Sequence, residues 1–294
     1  MENRYILLTA AKNEQDYIGA TIESVLRQSI PPLAWFIVDD GSVDQTAQII
    51  GHFAARHSFI HLRSTRDAGK RSFGAKDRAI NAAYDSARRL EFEFVAIHDA
   101  DITLESVFYF QQLLENFDAN PKLGIAAGYI YERSRNEWVS RIGNSNHSAA
   151  GAIQMFRKAC FERIGGYTPL HFGGEDWLAQ LKAEMLGWEI MAIPGLHVYH
   201  YRPTSSSNGQ WRGLFRRGMM DASFGSLIFF ELLKCARRLL ERPTVLGSSL
   251  RFSGYLWWKV SGRAPLLDPQ IVSYLRNQQS KKISGAWRSF VINK

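Results

Sequence analysis

Short apolar runs alternate with amphipathic segments along the first 120 residues of the chain. The runs near positions 5–10, 34–38, 60–62 and 93–98 have the length and composition of buried strands. The segments between them carry apolar residues at helical spacing. This alternation predicts an α/β fold in which a mainly parallel sheet has helices on both of its faces.

The pattern changes after about residue 120. Two further strands are expected at 123–131 and 152–156, and a helix is expected to start near Asp176, after a Gly-rich turn. The last predicted strand ends in a histidine pair, His197 and His200. Three steps along an extended chain reverse the side-chain direction, so these two histidines should face opposite sides of the sheet.

The charge of the chain changes at the polar stretch PTSSSNGQ, near residues 203–210. Residues 1–200 hold 20 Lys and Arg against 24 Asp and Glu, whereas residues 201–294 hold 16 against 4. We therefore predict one α/β domain over residues 1–205 and a basic, mostly helical C-terminal region over residues 206–294.

The composition predicts a folded protein of a reducing compartment. Hydrophobic residues make up 46% of the sequence, which is enough for a large core. Cys160 and Cys235 form neither a disulfide framework nor a zinc-type spacing. The N-terminus has no signal-peptide pattern, and no uncharged apolar run approaches the roughly 20 residues that span a bilayer. We expect a cytoplasmic location.

The basic C-terminal region predicts an anionic partner. An apolar segment at 221–243 includes Lys234 and Arg237, and Trp257 lies close to Lys259. Aromatic and basic residues in this mixture suit a lipid headgroup layer. We expect a combination, in which these helices pack on the α/β domain and also attach loosely to the anionic inner face of the cytoplasmic membrane. The alternative is that these helices only pack on the α/β domain, with their charges outside.

Acidic residues follow two of the predicted strands directly. Asp39 and Asp40 end one strand, and Asp99 and Asp101 follow another strand, one residue apart. The carboxyl ends of parallel strands meet at one edge of a sheet, where such sheets bind ligands. Two carboxylates this close raise each other's proton affinity, and a divalent cation would offset their repulsion. The alternative is that these acids cap the following helices.

Four short motifs, LLTAAKNE, FIVDDGSVDQT, HDAD and GGEDW, occur in this order over roughly residues 4–200. The ordered set resembles the family 2 glycosyltransferases, which have the Rossmann-like GT-A fold. Members of that family move a sugar from a nucleoside diphosphate to an acceptor hydroxyl, usually with inversion. The resemblance implies a metal-dependent, inverting glycosyltransferase that uses a nucleoside-diphosphate sugar, with UDP as the first choice of nucleotide.

The resemblance also implies roles for individual residues. Asp176 is the expected base for the acceptor hydroxyl, and Glu175 is expected to position the acceptor. The alternative is that Asp176 only caps its helix. Asp101 and His200 would hold Mn²⁺ or Mg²⁺. The residues expected to bind the nucleotide sugar are Thr9, Ala11, Glu14, Asp40, Arg71, Asp99 and Arg202.

Three other residues lie close to these motifs. Lys70 and Lys76 are secondary candidates for the basic position of Arg71, and the alternative is that all three side chains are simply solvated. His98 precedes the acidic pair and is expected to pack inside the fold.

The acceptor is expected to be a glycan or a polyprenyl-diphosphate-linked saccharide in cell-surface polysaccharide synthesis. Trp177 is expected near the acceptor, Trp211 would stack on a sugar, and Arg216 or Arg217 would meet a lipid diphosphate. The chain lacks the multiple spanning helices of a processive, polymer-exporting synthase, so we expect the addition of one or a few sugars.

Two other functions are consistent with parts of the sequence. A nucleotidyltransferase would share the sheet and the acids, but it would carry a Gly-rich, basic loop after the first strand, and TAAKNEQD is not such a loop. A nucleic-acid-binding module would fit the sequence pI of about 9.5. That function predicts basic residues around the sheet end, where the acids gather instead. We therefore expect no nucleic-acid partner.

Overall fold

The computed structural model describes residues 4–65, 73–134, 137–141, 143–202, 210–238 and 244–292, with side chains at all of these positions except 73, 210, 244 and 285–292. Arg71, Lys70 and most of the predicted boundary lie outside the described residues. The chain divides into two compact units, Met1–Thr204 and Ser205–Lys294.

The described part of the first unit contains one nine-stranded sheet. In chain order its strands are β1 (Tyr5–Ala11), β2 (Ala34–Asp39), β3 (Ile60–Ser64), β4 (Phe94–His98), β5 (Ile102–Leu104), β6 (Leu123–Ser134), β7 (Glu137–Ser140), β8 (Ile153–Arg157) and β9 (Glu189–His200). The strands predicted from the apolar runs are all present.

The sheet has a parallel half and a mixed half. Its order is β3-β2-β1-β4-β8-β6-β9-β5, and β7 pairs with β6. Strands β3, β2, β1 and β4 are parallel to their neighbours. Beyond β4, strand β8 is antiparallel to β4 and β6, β7 is antiparallel to β6, and β5 is antiparallel to β9. Strands β6 and β9 are parallel. The carboxyl ends of β1, β2 and β4 therefore share one edge.

Helices cover both faces of this sheet, as the sequence pattern predicts. They are α1 (Ile18–Leu26), α2 (Thr46–Ala54), α3 (Phe73–Ala87), α4 (Tyr109–Ala119), α5 (Lys158–Ile164) and α6 (Glu175–Met185). Side chains alternate along β1, so that Tyr5 and Leu7 join one core cluster and Ile6 and Leu8 join the other. The first cluster includes residues of α1, α2 and α4, and the second includes residues of α3, α5 and α6.

The second unit is helical in its described residues. Its helices are α7 (Gln210–Ser223), α8 (Ile228–Arg237), α9 (Thr244–Val260) and α10 (Pro269–Ile292). Helices α7 and α9 cross closely at Gly218 and Gly254, where an added Cβ would lie 1.8 Å and 2.0 Å from backbone oxygens of the opposing helix. No helix in the described part of the chain has both the length and the apolar character needed to cross a bilayer.

A buried network of four charges holds α7, α8 and α9 together. Lys234 lies 2.9 Å from Asp221 and 2.7 Å from Glu231. Arg251 pairs with the same two acids. Glu231 is fully buried, so its charge needs both cations. Lys234 therefore serves the interior of this unit, although the sequence analysis counted it with the basic surface.

Candidate active site

Three polar side chains meet where β4 and β9 end. Asp99 and Asp101 follow β4, and His200 is the last residue of β9. One ligand atom from each of the three lies within 4.8 Å of the other two. Asp101 is only 5% exposed, and its Oδ2 lies 3.3 Å from His200 Nε2. The predicted metal ligands are therefore brought together, and Asp99, which was expected to bind nucleotide, joins them.

These residues fit a hard divalent cation. Two carboxylates and one imidazole form a donor set that suits Mn²⁺ or Mg²⁺. His200 Nδ1 is buried and has no hydrogen-bond partner among the described residues. The three side chains come from two separate segments, and they converge on one small volume.

Arg202 links this cluster to the loop after β1. Its Nε donates a hydrogen bond of 2.8 Å to Asp101 Oδ2, and its Nη2 lies 2.5 Å from both carboxylate oxygens of Glu14. Glu14 is only 3% exposed. Two predicted residues from opposite ends of the α/β unit, Glu14 and Arg202, therefore form one buried ion pair beside Asp101.

Opposite charges set the protonation states of this cluster. Burial favours the neutral form of Asp101, but the hydrogen bond and charge of His200 and the charge of Arg202 outweigh burial and hold the Asp101 pKa well below its usual range. Burial likewise lowers the His200 pKa, but Asp101 outweighs it, so the His200 pKa is raised.

Asp40 lies at the carboxyl end of β2, close to the loop after β1. Its backbone N–H donates to the Ala11 carbonyl at 2.9 Å. Its carboxylate accepts a hydrogen bond of 3.1 Å from Thr65 and lies 3.6 Å from Lys12 Nζ. Asp40 thus lies at the sheet edge, and its role in nucleotide binding stays a prediction.

The side chains of Thr9 and Ala11 are buried, so their predicted contact with a nucleotide would be made by the backbone and stays a prediction. Thr9 is fully buried, and its hydroxyl accepts a hydrogen bond of 3.0 Å from the Trp35 indole. Ala11 is 1% exposed, and its methyl group belongs to the core. Neither residue offers its side chain to a nucleotide, because both side chains point inward from β1. They support the loop that carries Lys12 and Glu14.

The GGEDW motif forms the N-terminus of α6. Gly173 and Gly174 have φ values of 82° and 94°, which only glycine adopts without strain. Asp176 is half-buried, and its Oδ1 accepts a hydrogen bond of 2.8 Å from the Trp177 N–H. Gly174, not Asp176, is the N-cap residue of α6, so the structure does not give Asp176 the helix-capping role of the alternative interpretation.

Gly151, just before β8, shapes the position of Asp176. A Cβ at residue 151 would lie 2.4 Å from Asp176 Oδ2 and 2.7 Å from its Cγ. Real Cβ atoms do not approach other heavy atoms so closely. The sequence gives no signal for Gly151, since its role depends on a contact between segments 25 residues apart.

Lys76, near the start of α3, connects the acidic pair to the GGEDW motif. Its Nζ lies 2.6 Å from Asp99 Oδ1. Burial lowers the Lys76 pKa, but the negative charges of Asp99 and Glu175 outweigh burial and raise it. Lys76 is thus a central cation of the site, although it ranked below Arg71 in the sequence analysis.

Asp77 is a buried acid that the sequence analysis missed. It lies on the stripe of α3 that also carries Ile80, Tyr84 and Ala87, so a charged residue in an apolar stripe was the available signal. One carboxylate oxygen accepts a hydrogen bond of 3.3 Å from the Leu170 N–H, and the other has no partner among the described residues. Burial, followed by the charge of Glu175, raises the Asp77 pKa to about 8. Burial raises the Glu175 pKa as well.

The remaining residues that the sequence analysis named make other contacts. His98 is buried, with Nδ1 2.7 Å from the Asp99 carbonyl oxygen, so the prediction that it packs inside is confirmed. His197 pairs with Glu105 at 2.7 Å and faces away from His200. Trp177 is 36% exposed next to Asp176. Trp211, Arg216 and Arg217 lie on α7 of the second unit, and their roles stay predictions.

We predict that Asp77→Asn flattens the pH dependence of stability. The folded protein holds a proton on Asp77 up to about pH 8, whereas the unfolded chain releases it near pH 4. The wild-type free energy of unfolding should therefore fall as the pH rises from 5 to 8. The amide of the Asp77→Asn variant does not titrate, so the substitution should reduce that fall by up to about 3–4 kcal/mol.

Thermal unfolding at pH 5, 6.5 and 8 measures this effect. Asp85→Asn is the matched control, because Asp85 lies on the same helix, where it forms an exposed pair with Arg88. Equal slopes for the wild type and Asp77→Asn would contradict the prediction.

Comparison with known proteins supports a specific family. The sequence model described as "Glycosyltransferase like family 2" matches residues 3–220. Poly-beta-1,6-N-acetyl-D-glucosamine synthase of Staphylococcus epidermidis is 29% identical over 225 residues, which are 70% of this chain and 51% of that protein. The enzyme of the same name from Staphylococcus aureus strain MSSA476 is 26% identical over 250 residues, which are 78% and 57% of the two chains. The chain thus spans about half the length of these relatives.

Solved structures show the same fold. The mannosyltransferase PcManGT from Pyrobaculum calidifontis, in complex with GDP-Man and Mn²⁺, has a TM-score of 0.59 at 18% identity and covers 100% of this chain and 89% of its own. S. aureus TarS 1–349, in complex with UDP-GlcNAc, has a TM-score of 0.55 at 15% identity, with 89% and 73% coverage. The GT-A fold expected from the sequence is confirmed. The match over residues 3–220 favours glycosyl transfer over the nucleotidyltransferase and nucleic-acid alternatives, and the chain belongs to glycosyltransferase family 2.

Proposed function

We propose that the protein is an inverting, metal-dependent glycosyltransferase. It moves a sugar from a nucleoside-diphosphate sugar to a hydroxyl of a glycan or lipid-linked acceptor in cell-surface polysaccharide synthesis. The observation that carries the proposal is the convergence of a candidate cation site and a candidate base around Lys76. This lysine contacts Asp99 of the cation site. The negative charge of Glu175, the sequence neighbour of Asp176, raises the pKa of the same lysine.

UDP-N-acetylglucosamine is the donor that we propose. Two kinds of observation support it. The curated relatives are named as synthases of a poly-N-acetylglucosamine, and TarS has been solved with UDP-GlcNAc. The chain covers only about half of those relatives, so their activity supports the donor and does not extend to the acceptor.

Asp99, Asp101 and His200 would hold Mn²⁺ or Mg²⁺. When bound, the cation supplies positive charge that stabilises the diphosphate leaving group. Lys76 contacts Asp99, and Arg202 contacts Asp101. The positively charged side chains of Lys76 and Arg202 are therefore placed to stabilise the negative charge that develops on the diphosphate.

Asp176 would act as the base. The acceptor oxygen attacks the anomeric carbon, the bond from that carbon to the β-phosphate oxygen breaks, and its electron pair leaves with the diphosphate. The proton of the acceptor hydroxyl passes to Asp176. Asp176 is half-buried, whereas Glu175 is 9% exposed and has a raised pKa, so Asp176 is the more accessible carboxylate of the pair. Glu175 would position the acceptor.

The second unit would attach the enzyme to the anionic inner face of the cytoplasmic membrane. Its excess of Lys and Arg supports this role, as do the exposed apolar side chains of Phe229 on α8 and Leu246 and Trp257 on α9. Trp177, Trp211, Arg216 and Arg217 would contact a polyprenyl-diphosphate-linked acceptor.

Removal of a proposed cation ligand should abolish metal-dependent nucleotide binding. For the wild type, UDP with Mn²⁺ should raise the Tm by several degrees above that of the protein with Mn²⁺ alone. Asp101→Ala should lose this increment, because a carboxylate that bridges to the cation is missing. Thermal-shift assays with UDP, GDP, dTDP and CMP, with Mn²⁺ or with EDTA, measure it.

The matched control is Asp118→Ala, which removes a surface carboxylate paired with Arg4. Each variant is compared with its own nucleotide-free Tm, since Asp101→Ala also removes a buried ion pair. A full Mn²⁺-dependent increment in Asp101→Ala would refute the assignment.

Asp176→Asn should lower kcat for UDP release from UDP-N-acetylglucosamine by about 10²–10⁴-fold, because Asn cannot accept the proton. The donor KM should change little, since Asp176 is assigned to the acceptor side. Glu184→Gln, an exposed change on the same helix, is the control. Wild-type turnover in Asp176→Asn would exclude it as the base, and NMR of the product's anomeric configuration tests inversion.

Gly151→Ala should lower kcat about tenfold or more without changing nucleotide binding. The added Cβ must displace the Asp176 carboxylate, and small displacements of a catalytic group are costly. Gly19→Ala on α1 is the control, because its Cβ would meet nothing within 4 Å. Unchanged kcat in Gly151→Ala would show that the position of Asp176 does not matter for turnover.

A further inference from the structure

One face of the sheet carries aromatic side chains where its last strands lie together. Strand β6 pairs with β9 on one side and with β7 on the other. In this register Tyr131 lies opposite Tyr199, and Arg133 lies opposite Trp138. Residues opposite each other point to the same face, so Tyr131, Trp138 and Tyr199 share one face. His200, one residue further along β9, points to the other face and the cation site.

The rings on this face form a continuous row. Trp138 packs against Tyr199 at a centroid distance of 4.7 Å and against Tyr201 at 5.4 Å. Tyr131 lies 6.1 Å from Tyr199, at one side of the row. At the other side, Tyr201 stacks on Tyr17 at 5.5 Å with an interplanar angle of 25°.

The row is accessible to solvent. Trp138 is 37% exposed, and the four tyrosines are half-buried. Solvent-facing positions of a sheet normally carry polar residues, because an open face gains nothing from apolar side chains. A row of aromatic rings at such positions is typical of a binding surface, where one side of each ring is apolar and its edge is polar.

The row begins at the candidate active site. The backbone N–H of Tyr201 donates to the Asp101 carbonyl at 3.1 Å. The guanidinium of Arg202, which contacts Asp101, lies 5.5 Å from the centroid of the Tyr17 ring. From Tyr201 the row continues through Trp138 of β7 and Tyr199 of β9 to Tyr131 of β6. A ligand along this face would therefore lead away from the cation site.

The polar groups of this face favour a saccharide over a lipid or a nucleic acid. The Tyr199 hydroxyl donates to Glu105, and the same carboxylate pairs with His197 at 2.7 Å. Carboxylate, imidazole and phenol groups can bind sugar hydroxyls, and the negative face of an aromatic ring attracts the C–H groups of a pyranose. Phosphate-rich ligands require clustered Lys and Arg, whereas the Tyr199 hydroxyl of this face meets a carboxylate. Phe229 and Leu246 of the second unit, at 70% and 66% exposed, suit a lipid better than Trp138 does at 37%.

We propose that the aromatic face formed by Tyr131, Trp138, Tyr199 and Tyr201 binds sugar units of the glycan that the active site extends. The inference rests on the proposed glycosyltransferase function and adds a second, non-catalytic saccharide site to it. Stacking on the rings holds the chain while its end reacts at the cation site.

Saccharide binding without any donor tests this proposal. Ligand-observed NMR titrations use β-1,6-linked N-acetylglucosamine hexasaccharide, β-1,4-linked N-acetylglucosamine hexasaccharide and maltohexaose. The wild type should bind at least one of them. Trp138→Ala should weaken that binding about fivefold or more, and Trp138→Phe should restore part of it, since a ring is retained. Phe108→Ala, which removes an aromatic ring that is 50% exposed elsewhere on the first unit, should bind as the wild type does.

Nucleotide binding and UDP release are measured on the same proteins. Trp138→Ala should keep the UDP and Mn²⁺ thermal shift and the rate of donor hydrolysis, which separates this inference from the proposed function. If the wild type binds no saccharide, or if Trp138→Ala binds as tightly as the wild type, the inference is wrong. It is also wrong if Trp138→Ala loses binding to anionic phosphatidylglycerol vesicles and keeps saccharide binding, because the face then docks on a membrane.

Discussion

The structure of the site depends on how a few basic side chains neutralise the charge of several buried carboxylates. Glu14, Asp101, Asp77 and Glu175 are all nearly excluded from water, and Asp99 lies beside them. A buried, unpaired carboxylate is costly, so each must be paired, protonated or bound to a cation. Arg202 serves Glu14 and Asp101, Lys76 serves Asp99, and Asp77 keeps its proton. The segments that supply these groups are far apart in sequence, so the charge balance helps fix how the loops meet.

Much of the first unit could be predicted from sequence because the residue patterns that specify its strands and helices are local. Buried strands such as the run 94–98 are recognised by apolar composition, and the acids that follow them reach the sheet edge by topology alone. The parallel half of the sheet follows from this alternation. The mixed half does not, because the antiparallel partners of β8 and β7 are set by long-range pairing. The register of β6 with β9 also shifts between Gly128 and Tyr129, a non-local feature.

The features of the site that the sequence did not reveal have similar physical causes. Thr9 follows the motif spacing, but the alternation of side chains along β1 turns its hydroxyl toward Trp35. The sequence did not indicate the importance of Lys76 and Asp77, because the charge pattern along a helix does not show which distant residues its side chains contact. Gly151 gave no sequence signal, since only the packed position of Asp176 leaves no free space for a Cβ there. The aromatic face became visible only when the register placed residues of β6, β7 and β9 side by side.

The internal charge network of the second unit has a consequence for its exterior. Between residues 201 and 294 there are only four acids, and two of them, Asp221 and Glu231, are paired with Lys234 and Arg251. Half of the acids that could neutralise lysines and arginines on the surface are therefore held in internal ion pairs. The charged side chains left for the surface of this unit are therefore mostly positive. Counterions or a negatively charged partner would reduce the repulsion among them. Ionic strength should thus govern the colloidal behaviour of this unit more than pH does, since arginine and lysine keep their charge across the physiological range.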